Sequence, residues 1–196
     1  MSEETHLKLS ENKGLAVGIA AVVVVASTLL SGGLGLEKAC DNTENAFFVG
    51  SEKAPAYYVN SSISAAASLA AVGSHYDALT AETAALRASR SELVEAYEDR
   101  DIEDMGRASA SLLEATDAFV AGIGGVSLTE EDRSAFDDAA DTVYGAARQL
   151  EKSGYDKDTA KFIDRVYTRF PASLFASLFD IDAPESFRTP GGTADD

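Results

Sequence analysis

Three stretches of this chain repeat their apolar positions in alternating steps of four and three, and that spacing restricts the fold more than anything else. Leu79, Thr83, Leu86, Arg90, Leu93 and Tyr97 form one series. Ile102, Met105, Ser109, Leu112, Thr116, Phe119 and Ile123 form a second, and Phe136, Ala140, Val143, Ala147 and Leu150 a third. Residues so spaced share one face of an α-helix. Each stripe is narrow and escapes water only by lying against another, so the expected product is an antiparallel bundle. No window alternates apolar and polar residues with β-branched side chains, so no sheet is predicted.

The breaks between the stripes are equally readable. Pro55 marks a kink or a helix start. After the Ala-rich "ISAAASLAAVGSHY", the segment "EDRDIED" stops one helix, and Asp101 is placed to cap the next with Asp104 in its first turn. "GIGG" ends that helix, with Gly124 or Gly125 expected in the left-handed conformation. Thr129 is the expected N-cap of the following helix, with Asp132 at the capping-box position, and Gly154 its stop. A last long helix is expected from about Asp158, aligning Phe162, Val166 and Phe170.

"GLAVGIAAVVVVASTLL", Gly14 to Leu30, carries no charge, and the uncharged character continues to Leu36. As helix, the roughly 17-residue core and its roughly 23-residue extension span about 26 to 34 Å, against a bilayer core of about 30 Å. A cleavable signal peptide has a shorter apolar region, about 7–15 residues, so an uncleaved single span over 14–36 is expected. Lys8 and Lys13 before it nearly balance Lys38 and Lys53 after it, which leaves its orientation unassigned. Gly14 and Gly18 form a G-x-x-x-G spacing at one end, of little weight alone.

A net charge of −17 argues against nucleic acid and against adhesion to anionic lipid, both of which need clustered Lys and Arg. The single cysteine, Cys40, cannot form an intramolecular disulfide, and Glu37 and Lys38 before it do not suit a lipid-modification site. Bundle metalloenzymes need inward carboxylates with Glu-x-x-His pairs. The only histidines, His6 and His75, do not fit, and His75 reads as a partly exposed helix residue. Asp137 and Asp141, with Arg133 one turn earlier, read as a solvated ion-pair face. No nucleophile elbow, phosphate-binding loop or Cys-x-x-Cys is present. No catalytic, cofactor-binding or metal residue is therefore assigned, no cofactor is expected, and the chain is not expected to be an enzyme. Arg90, polar on an apolar seam, is the one residue that hints at a ligand pocket.

The C-terminal part carries a resemblance. "TRFPASLFASLF" places Phe170 and Pro171 before an apolar segment, and Phe187 closes "APESF". Upstream stand Asp141, the pair Ala147–Arg148, Tyr155–Asp156 and Ile163–Asp164. This series, behind an N-terminal span, resembles the LemA family of prokaryotic membrane proteins, which has a "YN…YN…FP" motif and a terminal aromatic. The chain departs from that pattern: Asp156 and Asp164 replace Asn, Ile163 replaces Tyr, and Tyr155 lies about a turn farther from Arg148. The basic segment after the span and the Pro-Asp-Leu loop are not recognisable. The resemblance implies that Phe170–Pro171 ends the last long helix and that "ASLFASLF" folds back as a short amphipathic helix.

The expected protein is all-α: a flank over 1–13, a transmembrane helix over 14–36, an antiparallel bundle of four or five long helices with coiled-coil-like seams over 37–187, ending in the short amphipathic helix, and a disordered tail over 188–196. It is expected in the cell membrane as a single-pass protein, a scaffold or membrane-organising module. The alternative is a membrane-tethered sensor or ligand-binding bundle. Its expected partners are lipid, through the span, and other proteins or further copies of itself. The apolar C-terminal helix either plugs the bundle or meets lipid or a partner.

Overall fold

The computed structural model describes residues 13–49 and 54–187; for residues 13–26, 28 and 29 it describes the backbone alone. Among the described residues all regular structure is helical and no strand occurs. The helices are α1 (Lys13–Phe48), α2 (Pro55–Gly73), α3 (Thr80–Asp99), α4 (Ile102–Ile123), α5 (Glu130–Lys152), α6 (Tyr155–Tyr167) and α7 (Ala172–Phe179), with a 3₁₀ turn at Asp77–Leu79 before α3. Two compact units emerge: Thr43–Phe162 with Pro184–Asp196, and Met1–Asn42 with Ile163–Ala183.

In the first unit α2 to α5 form a four-helix bundle. α2 packs along both α3 and α5, α3 along α4, and α4 along α5, so the ring closes. Pro55 opens α2 at the position where its missing N–H costs nothing. α2 is rich in Ala and Ser, which lets two neighbours approach it closely, and it buries Val59, Ile63, Ala66, Leu69 and Val72.

The stripes fall where their period places them. Leu79, Thr83, Leu86 and Leu93 are buried, as are Ile102, Met105, Leu112, Thr116, Phe119 and Ile123. Phe136, Ala140, Val143 and Leu150 are buried on α5, joined by Ala139 and Ala146, while Ala147 is only half-buried. Tyr97 and Ser109 are also half-buried. Helix ends follow sequence in most places. Asp101 caps α4, accepting from the Asp104 amide at 2.7 Å. Gly154 takes φ +73° just after α5. Arg100, between α3 and α4, is left-handed at φ 60° although it is not glycine. Its guanidinium lies 4.2 Å from the centre of the Phe48 ring and reaches Asn45.

Three expectations are corrected. Neither Gly124 nor Gly125 is left-handed. α4 instead tightens, with Gly124, Gly125 and Val126 amides bonding three residues back, which satisfies the last carbonyls without a left-handed residue. α6 starts at Tyr155 rather than Asp158, because Tyr155 is itself drawn into the core. Phe170 does not align with Val166 inside; it lies past the end of α6 and is 82% exposed.

In the second unit α7 lies on α1 at two glycines. A Cβ on Gly32 would stand 2.9 Å from the Phe175 ring, and one on Gly33 2.7 Å from the Phe179 ring. A side chain at either position would force the ring to move. Farther along α1, buried Cys40 meets the Tyr167 hydroxyl at 3.5 Å, and that hydroxyl also donates to the Asp182 carbonyl at 2.6 Å.

No helix among the described residues is long and apolar enough to cross a membrane. The span expected over 14–36 falls mostly on positions whose side chains lie outside the described residues; the backbone there is part of α1. The tail expected over 188–196 also lies outside them.

Candidate functional site

Polar side chains converge at each end of the bundle, and an apolar face stands in the second unit. At the end where α2 finishes and α5 begins, Asp132 gathers three donors. The Tyr76 hydroxyl donates to it at 2.6 Å, the Thr129 hydroxyl at 2.9 Å and His75 Nδ1 at 2.9 Å. A carboxylate only accepts, so the proton of this last bond sits on Nδ1. These bonds, Tyr76 first, hold the Asp132 carboxyl below its ordinary value of 3.8. The Asp132 amide donates back to Thr129 Oγ1 at 3.1 Å, which is half of a capping box. The other half is relayed: the Thr129 amide donates to the Tyr76 hydroxyl at 3.0 Å, not to the carboxylate. His75 is exposed and lies in the turn after α2 rather than within a helix.

At the other end of the bundle the chain's last described residues form a clasp. Phe187 is 3% exposed, its ring 5.3 Å from that of Phe47, which in turn meets the Tyr155 ring at 5.1 Å. The Tyr155 hydroxyl donates to the Glu185 carbonyl at 3.0 Å. The Glu185 carboxylate accepts the first free amide of α4, that of Ile102, at 2.8 Å. Ser186 donates to Asp156 at 3.0 Å. Burial, then the charges of Glu44, Asp156 and Glu185, push the Tyr155 hydroxyl up to about 12, so it stays a donor. Three positions that carry the family resemblance, Tyr155, Asp156 and Phe187, thus meet in space. Asp164 instead pairs with Arg169 at 2.7 Å, and Asp141 and Arg148 face solvent.

The remaining candidates have structural partners or none. Arg90 is half-buried and its Nε donates to the Ile63 carbonyl at 3.1 Å, so its charge ties α3 to α2. Arg133, Asp137 and Asp141 are all exposed, and no ion pair joins Arg133 to Asp137, contrary to the expected pairing. Among the described residues no group of three His, Cys, Asp or Glu side chains is placed to hold a metal ion.

The apolar face belongs to α1 and α7. Leu34 is 67% exposed, Leu178 56% and Leu174 49%, and Leu30 and Phe170 are exposed with them. Leu30 and Leu34 lie four apart on α1, Leu174 and Leu178 four apart on α7, so each pair shares a helix face. None of Leu174, Phe175, Leu178 or Phe179 is among the residues of the bundle core. Sequence located this helix but not its seat. Gly32 and Gly33, which in the sequence are simply part of the uncharged stretch up to Leu36, are the places that receive it.

No family model matches this chain, and no curated protein or solved structure does either.

Proposed function

We propose that this protein is a LemA-like, single-pass membrane protein of the cell membrane whose helical bundle acts without catalysis, as a scaffold that organises protein partners or the bilayer. The observation that carries the reading is α1. It runs unbroken from Lys13 to Phe48, opens with the uncharged stretch Gly14–Leu30, and delivers Phe47 fully buried into the bundle core. A helix that begins as a span and ends as a core element is suited to tethering a folded domain. The polar clusters at the bundle ends support a structural reading, since their hydrogen bonds go to caps and backbone groups. The rival sensor reading had Arg90 as its clue, and Arg90 is engaged with the Ile63 carbonyl.

Membranes from cells expressing the full chain test the tether: the protein should stay in the pellet after alkaline carbonate extraction. In mild detergent, crosslinking should trap a self-assembly or a stable stoichiometric partner. Release by carbonate overturns the tether, and a partnerless monomer overturns the organising role.

A further inference from the structure

α1 and α7 present exposed apolar side chains, Leu30, Leu34, Leu174 and Leu178 among them. We propose that these are immersed in the bilayer, at the boundary between acyl chains and headgroups, so that α7 forms a second, non-spanning membrane contact beside the span. This inference rests on the reading of Gly14–Leu30 as a span, and goes beyond it.

The argument is one of position. The uncharged core ends at Leu30, and the first charged side chains beyond it are Glu37 and Lys38. The edge of the hydrocarbon must therefore fall between these points on α1. α7 is seated on Gly32 and Gly33, inside that window. At a helical rise of about 1.5 Å per residue, its seat lies only about 3–5 Å along α1 from the end of the core. Most of the exposed large apolar side chains stand at this level: Leu30 and Leu34 on α1, Leu174, Leu178 and Phe179 on α7, and Phe170 just ahead of α7, while Val49 and Tyr57 are exposed elsewhere. α7, "ASLFASLF", has no charged residue. Its flanks do, with Arg165 and Arg169 before it and Asp180 and Asp182 after it. Lacking a basic face, α7 is held by apolar burial rather than by anionic lipid. Water is a poor match for such a face, and the bilayer is the apolar phase to which α1 leads.

The chain has no tryptophan, which makes the test direct. Leu178→Trp and, separately, Leu174→Trp are placed in the full chain in phosphatidylcholine vesicles, with Val22→Trp as reporter of the span and exposed Ala85→Trp as reporter of the bundle surface. The expected result is blue-shifted emission from positions 178 and 174. Lipids brominated near the glycerol end of the acyl chain should quench them, and aqueous iodide should not. Position 22 should be quenched best by bromines placed deeper, and position 85 by iodide alone. The same quenching is expected at high salt and without anionic lipid. Iodide quenching at 178 and 174, with lipid quenching kept at 22, overturns the inference and leaves the span intact. Quenching of 178 and 174 by neither agent overturns it in favour of a protein cover, such as a second copy. Loss of lipid quenching at 22 removes the span, and this inference with it.

Discussion

Asp132 and Phe187 show how single side chains close the two ends of the bundle. Asp132 is 13% exposed and accepts from Tyr76, Thr129 and His75, so its ionised form is favoured in the folded state. A carboxyl held below its ordinary value of 3.8 stabilises the fold fully above that value. The contribution is lost as pH falls through the lower folded-state value. Asp132→Asn should therefore unfold at lower urea than the parent at neutral pH, and the gap should close in acid; urea titrations of both chains across that range measure it. At the other end, Phe187 fills space against Phe47 and Tyr155. Phe187→Ala should cost about 3–5 kcal/mol if the site keeps its shape, and less if the terminal segment frays. Fraying would release Glu185 from the Ile102 amide, so accelerated hydrogen exchange at Ile102 would accompany the smaller loss and not the larger one.

Helices register these effects through their closest approaches, and glycine marks one that is rigid. A Cβ on Gly73, at the end of α2, would meet Thr83 Oγ1 at 2.2 Å and the Phe119 ring at 2.6 Å, so α2, α3 and α4 converge on that residue. Gly73→Ala should destabilise by about 1–3 kcal/mol, because a packed core must shift to admit it. Gly145, inside α5, has nothing within 4 Å of its would-be Cβ. Gly145→Ala should stabilise by about 0.5–1 kcal/mol through backbone entropy alone. Thermal melts of the two variants should move in opposite directions. The same contrast explains what sequence can tell. Stripes such as Ile102 to Ile123 are legible because periodicity is a property of one helix, and the Asp101 cap because it is local. The Tyr76 relay is not legible, since it depends on residues 53 positions apart meeting at one end of the bundle. Nor is the seat of α7 on Gly32 and Gly33, which pairs segments more than a hundred residues apart. Gly124 failed as a left-handed stop because three-residue backbone bonds could satisfy the same carbonyls.

At the level of the whole molecule, one polypeptide must reconcile a net charge of −17 with an uncharged helical stretch of about 17 residues at its start. Acidic groups repel one another and anionic headgroups, so electrostatics cannot hold the protein at a membrane. Under the proposed reading, attachment comes from apolar burial. Two consequences separate this from a peripheral, charge-held protein. Membrane association should be unchanged between low and high salt, because screening weakens only charge–charge attraction. Placing two carboxylates in the middle of the run, Val23→Asp with Val24→Asp, should abolish it, since each charge at the centre of a span costs about 2.5–3.5 kcal/mol. The bundle core, formed by α2 to α5 with Phe47, Tyr155 and Phe187, lies outside the altered segment, so the doubly substituted chain should keep its helicity while leaving the membrane pellet. Circular dichroism and carbonate extraction of the same preparation read the two quantities together. A substituted chain that stays in the pellet while folded would show that the run does not anchor the protein. The apolar face around Leu34 and Leu178 would then need a protein to cover it.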